Sequence, residues 1–234
     1  MGEEEMLKPT GIYMLDTIMR GGFPAGSLVY FIGDPDSMAE IFLYQFTSSR
    51  RTYYITTARR HEYIMANIAA VGCIKSVDDI VFIDVYSKYN LNGSHTNASD
   101  ADIMEWVEHE LEGIKEVEGE TEFNIIVDTF SFFLELNVDP YRLKKLVSQL
   151  YDLVKGCGGL GYLYVLNESH DKKIENAIMN VADVIFKVEI ERIGHRMSNR
   201  FAITKVRGMA PIPEFIKFKI GPQGIEIDTS RDIA

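Results

Sequence analysis

Residues Thr10–Phe46 read TGIYMLDTIMRGGFPAGSLVYFIGDPDSMAEIFLYQF. Within this stretch Leu28–Ile32 (LVYFI) is a short apolar run ended by Gly33, the composition of a strand buried on both faces, and Met38–Ser49 carries apolar residues at helical spacing. The intervening Gly33–Glu40 (GDPDSMAE) is then a strand-to-helix turn, and the whole is the opening of a β-turn-α unit. As an ordinary turn, it is expected to place Ser37 or Asp36 at the N-cap of the helix, with Glu40 satisfying a free N–H of the first turn.

Outward from this unit the pattern repeats. Thr52–Ile55, Ile80–Val85, Asn124–Val127 and Leu160–Leu166 are further apolar runs of strand length, separated by helical segments at Glu62–Ala70, Ala101–Val117 and Tyr141–Val154. In the last of these, Leu143, Leu146, Val147, Leu150 and Val154 share one face. Alternating strands and helices predict an α/β fold with a mostly parallel central sheet and helices on both faces. From Asp183 the pattern changes to strands at Val184–Ile190, Arg200–Val206, Glu214–Ile220 and Gly224–Asp228, with turns at Gly194, Gly208 and Gly221–Gly224. An antiparallel C-terminal extension over about 183–229 is expected there, attached to a core over about 10–180 in a single domain spanning 1–234. Asn90–Asp100 (NLNGSHTNASD) reads as a polar loop.

Composition narrows the function classes. With 46% hydrophobic and 25% charged residues the 234-residue chain reads as an ordinary globular protein, and no apolar run approaches the ~20 residues of a membrane span. The acidic start MGEEEMLKPT lacks the features of an export signal, so a cytoplasmic location is expected. Cys73 and Cys157 stand in no metal-ligand spacing and read as core or near-surface thiols, and the five histidines (61, 95, 109, 170, 195) are scattered without a metal motif. A net charge of −11 makes nucleic acid an unfavoured partner. Tyr86–Tyr89 with Lys88 reads as the one short aromatic and basic loop on offer for base stacking. The pairs Arg50-Arg51 and Arg59-Arg60 form a small basic cluster, read either as an anion attractor or as solvated helix-end charges.

Taken in order, TGI, LD, the Gly21-Gly22 pair, P-x-GS, the apolar strand and the following loop resemble the opening of the KaiC-like branch of the RecA superfamily. Later segments agree with it: IIVD ending at Asp128, A-D-V-I at Ala182–Ile185, and KVRG at Lys205–Gly208 followed by Glu214-Phe215. The resemblance runs over nearly the whole chain and implies a RecA-like P-loop NTPase fold. It also makes Gly33–Glu40 the counterpart of the phosphate loop GxxxxGK(S/T), whose lysine neutralises phosphate and whose hydroxyl helps hold Mg²⁺.

This chain departs from that motif. Gly33 is retained, but Met38 replaces the second glycine, Ala39 the lysine and Glu40 the serine or threonine, while Asp34, Pro35, Asp36 and Ser37 lie between. Asp36 stands where active relatives usually carry glycine. Two carboxylates near a triphosphate site repel by up to ~4 kcal/mol at ~4 Å before screening. The resemblance further places the general base of phosphoryl transfer after Tyr53–Thr57, where this chain has Ala58-Arg59-Arg60. Asp128 matches the carboxylate that ends the Walker B strand, and it reads either as a Mg²⁺ contact or as a structural strand-end aspartate. Lys205 and Arg207 match residues that reach a neighbour's γ-phosphate in KaiC-like rings, and read either as trans-acting cations or as solvated or salt-bridging side chains. Asn167-Glu168-Ser169-His170 reads either as a nucleotide-state sensor or as a capping turn into a helix over Asp171–Met179.

The function expected is therefore that of a catalytically inactive RecA/KaiC-like homologue acting in regulation or assembly. Its partners would be copies of itself or an active relative, and no cofactor or metal is expected. Two alternatives stay open: a weak or atypical binder of ATP or ADP with Mg²⁺, and an auxiliary recombination protein binding single-stranded DNA.

Overall fold

The computed structural model describes residues 6–71, 79–90, 99–221 and 224–227. Cys73, His95 and most of the Asn90–Asp100 loop lie outside them. Two short strands, β1 (Leu7–Lys8) and β2 (Phe23–Pro24), pair antiparallel on either side of α1 (Tyr13–Ile18). The chain continues through β3 (Ser27–Gly33), α2 (Glu40–Phe46), β4 (Thr52–Thr56), α3 (His61–Ala70), β5 (Ile80–Asp84), α4 (Val85–Asn90) and α5 (Asp100–Glu118). Next come β6 (Asn124–Asp128), α6 (Ser131–Glu135), α7 (Pro140–Cys157), β7 (Leu160–Leu166) and α8 (Lys172–Val181). It ends in β8 (Val184–Ile193), β9 (Arg196–Val206), β10 (Ile212–Gly221) and β11 (Gly224–Ile227).

Nine of these strands form one sheet in the order β11-β10-β9-β8-β3-β7-β6-β4-β5. The six from β8 to β5 are parallel, and β9, β10 and β11 are antiparallel additions at one edge. The α/β class, the five apolar strands and the antiparallel extension are those expected from the sequence. One boundary differs: β8, read as the first antiparallel strand, pairs parallel with β3, Val29 opposite Val184 and Gly33 opposite Val188. The intervening helix α8 supplies the crossover that a parallel connection requires, so only the hairpin-linked strands after β8 reverse direction.

Alternation along β3 divides the core. Val29 and Phe31 face α1, α2 and α3, whereas Leu28 and Tyr30 face α5, α7 and α8. The first face is aromatic: Phe42 of α2 meets Phe186 at 5.1 Å and Phe218 at 5.0 Å edge-on, and Phe46 stacks on Tyr162 at 4.2 Å, so α2 ties the parallel strands to the antiparallel ones. On the second face α7 starts at Asp139, whose carboxylate accepts the Tyr141 N–H, and ends at the left-handed Gly158. Helix α5 starts in a capping box made by Ser99 and Asp102. Of the Gly21-Gly22 pair, Gly22 has φ 115°, and a Cβ there would fall 1.9 Å from the Lys8 carbonyl oxygen. Only glycine lets β2 lie against β1.

At the N-terminal end of β3 the buried Asp183 organises a polar knot. Its carboxylate accepts the Leu28 N–H at 3.1 Å, pairs with Lys155 at 2.9 Å, and accepts Arg207 Nε at 2.8 Å. Beside it Lys205 Nζ donates to the carbonyls of Met179 (2.8 Å) and Ala182 (2.6 Å), and Arg207 reaches those of Asn180 and Val181 at 3.3 Å. Both cations thus close the carbonyl end of α8, where the helix dipole favours positive charge.

Candidate site at the carboxyl ends of the parallel strands

Ligand sites in open α/β sheets lie beyond the carboxyl ends of the parallel strands. Here Gly33, Leu166, Asp128 and Thr56 end β3, β7, β6 and β4 side by side.

The segment leaving β3 folds onto itself and onto the β8–β9 hairpin. The Asp34 carbonyl accepts both the N–H (2.9 Å) and the hydroxyl (2.7 Å) of Ser37. The Asp34 carboxylate accepts Asn167 Nδ2 at 2.7 Å and the Ile190 N–H at 3.1 Å, and Asp36 forms an ion pair with Arg192. Because β8 runs on past Val188, which is level with Gly33, these contacts latch the hairpin over the turn. The expectation that Ser37 or Asp36 caps α2 is not met. The N-cap position is Ala39, in helical conformation and without a side-chain cap, because Ser37 and both aspartates are drawn to other partners. Ala39 is fully buried, and a Cβ on Gly33 would meet that of Ala39 at 2.6 Å and the Tyr164 ring at 2.9 Å. The retained glycine therefore has a packing reason here: it makes room for Ala39 and Tyr164.

Across the site, Asp128 is 2% exposed and accepts the Tyr54 hydroxyl at 2.7 Å. The Thr56 hydroxyl donates to the Arg59 carbonyl at 2.6 Å, tightening the turn after β4, and the Arg59 guanidinium returns to within 3.5 Å of the same Asp128 oxygen. Burial raises the Asp128 carboxyl above the ordinary carboxylate value, opposed by Arg59 and the Tyr54 hydrogen bond. Burial, the largest single influence, lowers the Arg59 guanidinium, but the charges of Asp128, Tyr44, Tyr54 and Glu40 together outweigh it and raise it. Tyr164 is pushed well up, first by burial and then by Glu40 and Asp128. The loop's Glu40 and the Asp128 pair thus share one electrostatic neighbourhood, with Arg59 as its cation. The tyrosines are the part that sequence reasoning missed. Inside apolar strands they read as core, and nothing in their spacing marks which ring tips converge.

Other sequence candidates separate. Arg50-Arg51 and Arg59-Arg60 lie at opposite ends of β4, so they form no single basic cluster. Arg50 pairs with Glu122 at 2.8 Å and Arg51 with Glu118 at 2.9 Å. Tyr86, Lys88 and Tyr89 belong to helix α4 and not to a loop. Lys88 lies over Trp106, and Tyr89 packs edge-on against Phe132 and donates to Asp100, so this segment is no open stacking platform. Asn167 serves the turn by bonding Asp34, and His170 Nε2 meets the Ser131 hydroxyl at 2.9 Å. Lys205 and Arg207 lie at the end of the sheet away from their own Gly33–Glu40 turn. Their contacts with α8 and Asp183 would have to break before they could reach a neighbouring subunit. His61, Glu62 and Asp84 bring ligand atoms within 4.8 Å of one another. Asp84 already accepts His61 Nδ1 at 2.8 Å and the Ser87 hydroxyl at 2.9 Å. Burial would raise its carboxyl, but these hydrogen bonds win and hold it low.

The model of a family described as "Family of unknown function (DUF7125)" matches residues 7–234. No curated protein matches the chain. Among solved structures, a KaiC-like protein from the hyperthermophilic archaeon Pyrococcus horikoshii OT3 is similar with a TM-score of 0.72, covering 95% of this chain and 98% of that one at 18% identity. That likeness establishes a KaiC-like, RecA-type fold. No described helix is long and apolar enough to cross a membrane.

Proposed function

Since this chain belongs to the DUF7125 family and carries the KaiC-like RecA-type fold, we propose that it is a catalytically inactive homologue of those ATPases, acting as a regulatory or assembly protein. The observation that carries this reading is Arg59. Its guanidinium lies against the buried Asp128 carboxylate, where the resemblance to active members puts the charge of Mg²⁺. A tethered cation there lets the site hold its negative charge without a metal ion or a nucleotide.

The residues of the turn support the same reading, because they do not fit a Mg²⁺-nucleotide. Ala39 offers no charge where the motif has lysine, Glu40 adds a carboxylate where it has a hydroxyl, and Asp34 and Asp36 bind the hairpin. Backbone N–H groups alone make a weak phosphate cradle once carboxylates line it. A scaffold role uses what remains: a rigid sheet with extended edges, on which assemblies of this fold class can be built.

Calorimetric titration of the full chain with ATP·Mg²⁺, ADP·Mg²⁺ and adenosine tests the reading. No binding up to millimolar ligand is expected, with no phosphate release from ATP. Micromolar binding of ATP·Mg²⁺ would overturn it, and binding of adenosine or ADP in preference to ATP would favour a residual base pocket instead. Arg59→Gln provides the companion experiment: on this reading, removing the resident cation lets Mg²⁺ alone protect the variant against unfolding.

A further inference from the structure

Helices α7 and α8 leave a groove between them with a volume of about 630 Å³. Its apolar walls are Leu143 and Val147 of α7 facing Ile174, Ala177, Ile178 and Val181 of α8. The α8 residues stand at i, i+3, i+4 and i+7, the spacing of a single apolar stripe, yet only Ile178 of that helix is fully buried. Helix α7, by contrast, buries seven side chains. The stripe of α8 is therefore half covered by its own chain, along a length of ~10 Å, or two helical turns. The groove is on the sheet face opposite α2 and α3.

The charges on its walls indicate what covers the rest. Lys144 stands on one side and Lys173 on the other, and neither has a carboxylate partner among the described residues. The lining acid, Asp171, is engaged by its own helix: its carboxylate accepts the N–H groups of Lys173 (2.8 Å) and Ile174 (3.2 Å) at the positive end of α8. On a chain of net charge −11, the groove thus carries free cations on both edges. We propose that it docks an amphipathic helix of a partner protein, apolar at i, i+3, i+4 and i+7 and bearing carboxylates on both sides of that stripe. The stripe of such a helix packs as a third ridge into the groove between two helices, and its carboxylates meet Lys144 and Lys173.

The test uses the full chain and two fluorescein-labelled synthetic helices of ~16 residues, each with leucines at that spacing, one flanked by glutamates and the other by lysines. Fluorescence anisotropy is expected to show the glutamate peptide binding at least about tenfold tighter. The double variant Lys144→Glu/Lys173→Glu, whose changes are on the surface, reverses the preference. Ala177→Trp fills the groove and abolishes binding of both peptides. Equal affinity for the two peptides, no binding of the glutamate peptide, or a preference unmoved by the charge reversal would overturn the proposal. Should Ala177→Trp fail to fold, the charge reversal decides alone. A concentration-dependent dimer in sedimentation that the charge reversal disrupts would make a second copy the occupant and overturn the proposal as well.

Discussion

Arg59 shows how one residue balances the charge of a buried carboxylate. An isolated carboxylate as buried as Asp128 is costly, and the fold stabilises it with one hydroxyl, from Tyr54, and one guanidinium. Arg59→Gln keeps a polar side chain and removes the charge. The expected cost is about 1–3 kcal/mol, less than for a fully buried pair because Arg59 is itself partly exposed. The pH dependence has a definite sign. Burial raises the folded-state pKa of Asp128 above its unfolded value, so its contribution is most favourable below the ordinary carboxylate range and declines as pH rises through the folded pKa. Removing Arg59 raises that pKa further. The destabilisation of Arg59→Gln is therefore smallest near about pH 4 and grows toward neutrality, which urea unfolding across this range measures. Asp128→Asn in the same background restores part of the loss at neutral pH, since it removes the charge left without a partner.

At the scale of elements, α8 and the β8–β9 hairpin are held by side chains from elsewhere in the chain. The carbonyl end of α8 receives Lys205 from β9, and the turn after β3 receives the hairpin through Asp34 and Asp36. Lys205→Met keeps the aliphatic stem and removes the three donors. It is expected to cost about 1–2 kcal/mol and to speed hydrogen exchange in α8 while α5 and α7 exchange as before. An unchanged α8 exchange rate would show that Lys205 is free for another role, such as reaching a neighbouring subunit. The elements also show what periodicity conveys. Helices α5 and α7 are legible because many apolar residues recur on one face and end in caps. The short α1, α4 and α6, of five or six residues, are not, because one turn and a half of helix carries too few positions to define a face.

At the scale of the molecule, the sheet brings four strand ends together. If Arg59 supplies the cation, the Asp128 site gains no stability from Mg²⁺. The Tm of the protein is expected to stay within about 1 °C between millimolar Mg²⁺ and EDTA. A site filled at a hundred times its Kd would add about 2.7 kcal/mol, which is several degrees for a chain of this length. Calorimetric scans in the two buffers check this directly.

The amino-acid sequence by itself determined the α/β class, the strands of the parallel core, the long helices and the position of the turn after Gly33. Those features are written in local composition and in periods of 2 and 3.6 residues, which neighbouring positions reveal. It also showed that Ala39 and Glu40 stand where the resembled motif has lysine and serine or threonine. Only the tertiary structure decided where the replacing side chains go. Asp34 and Asp36 bind a hairpin more than 150 residues away, Arg59 turns back to Asp128, Lys205 and Arg207 close α8, and β8 joins the parallel strands. Each of these outcomes depends on which strand ends and helix ends lie adjacent in space. That adjacency is set by sheet order, and no spacing along the chain encodes it.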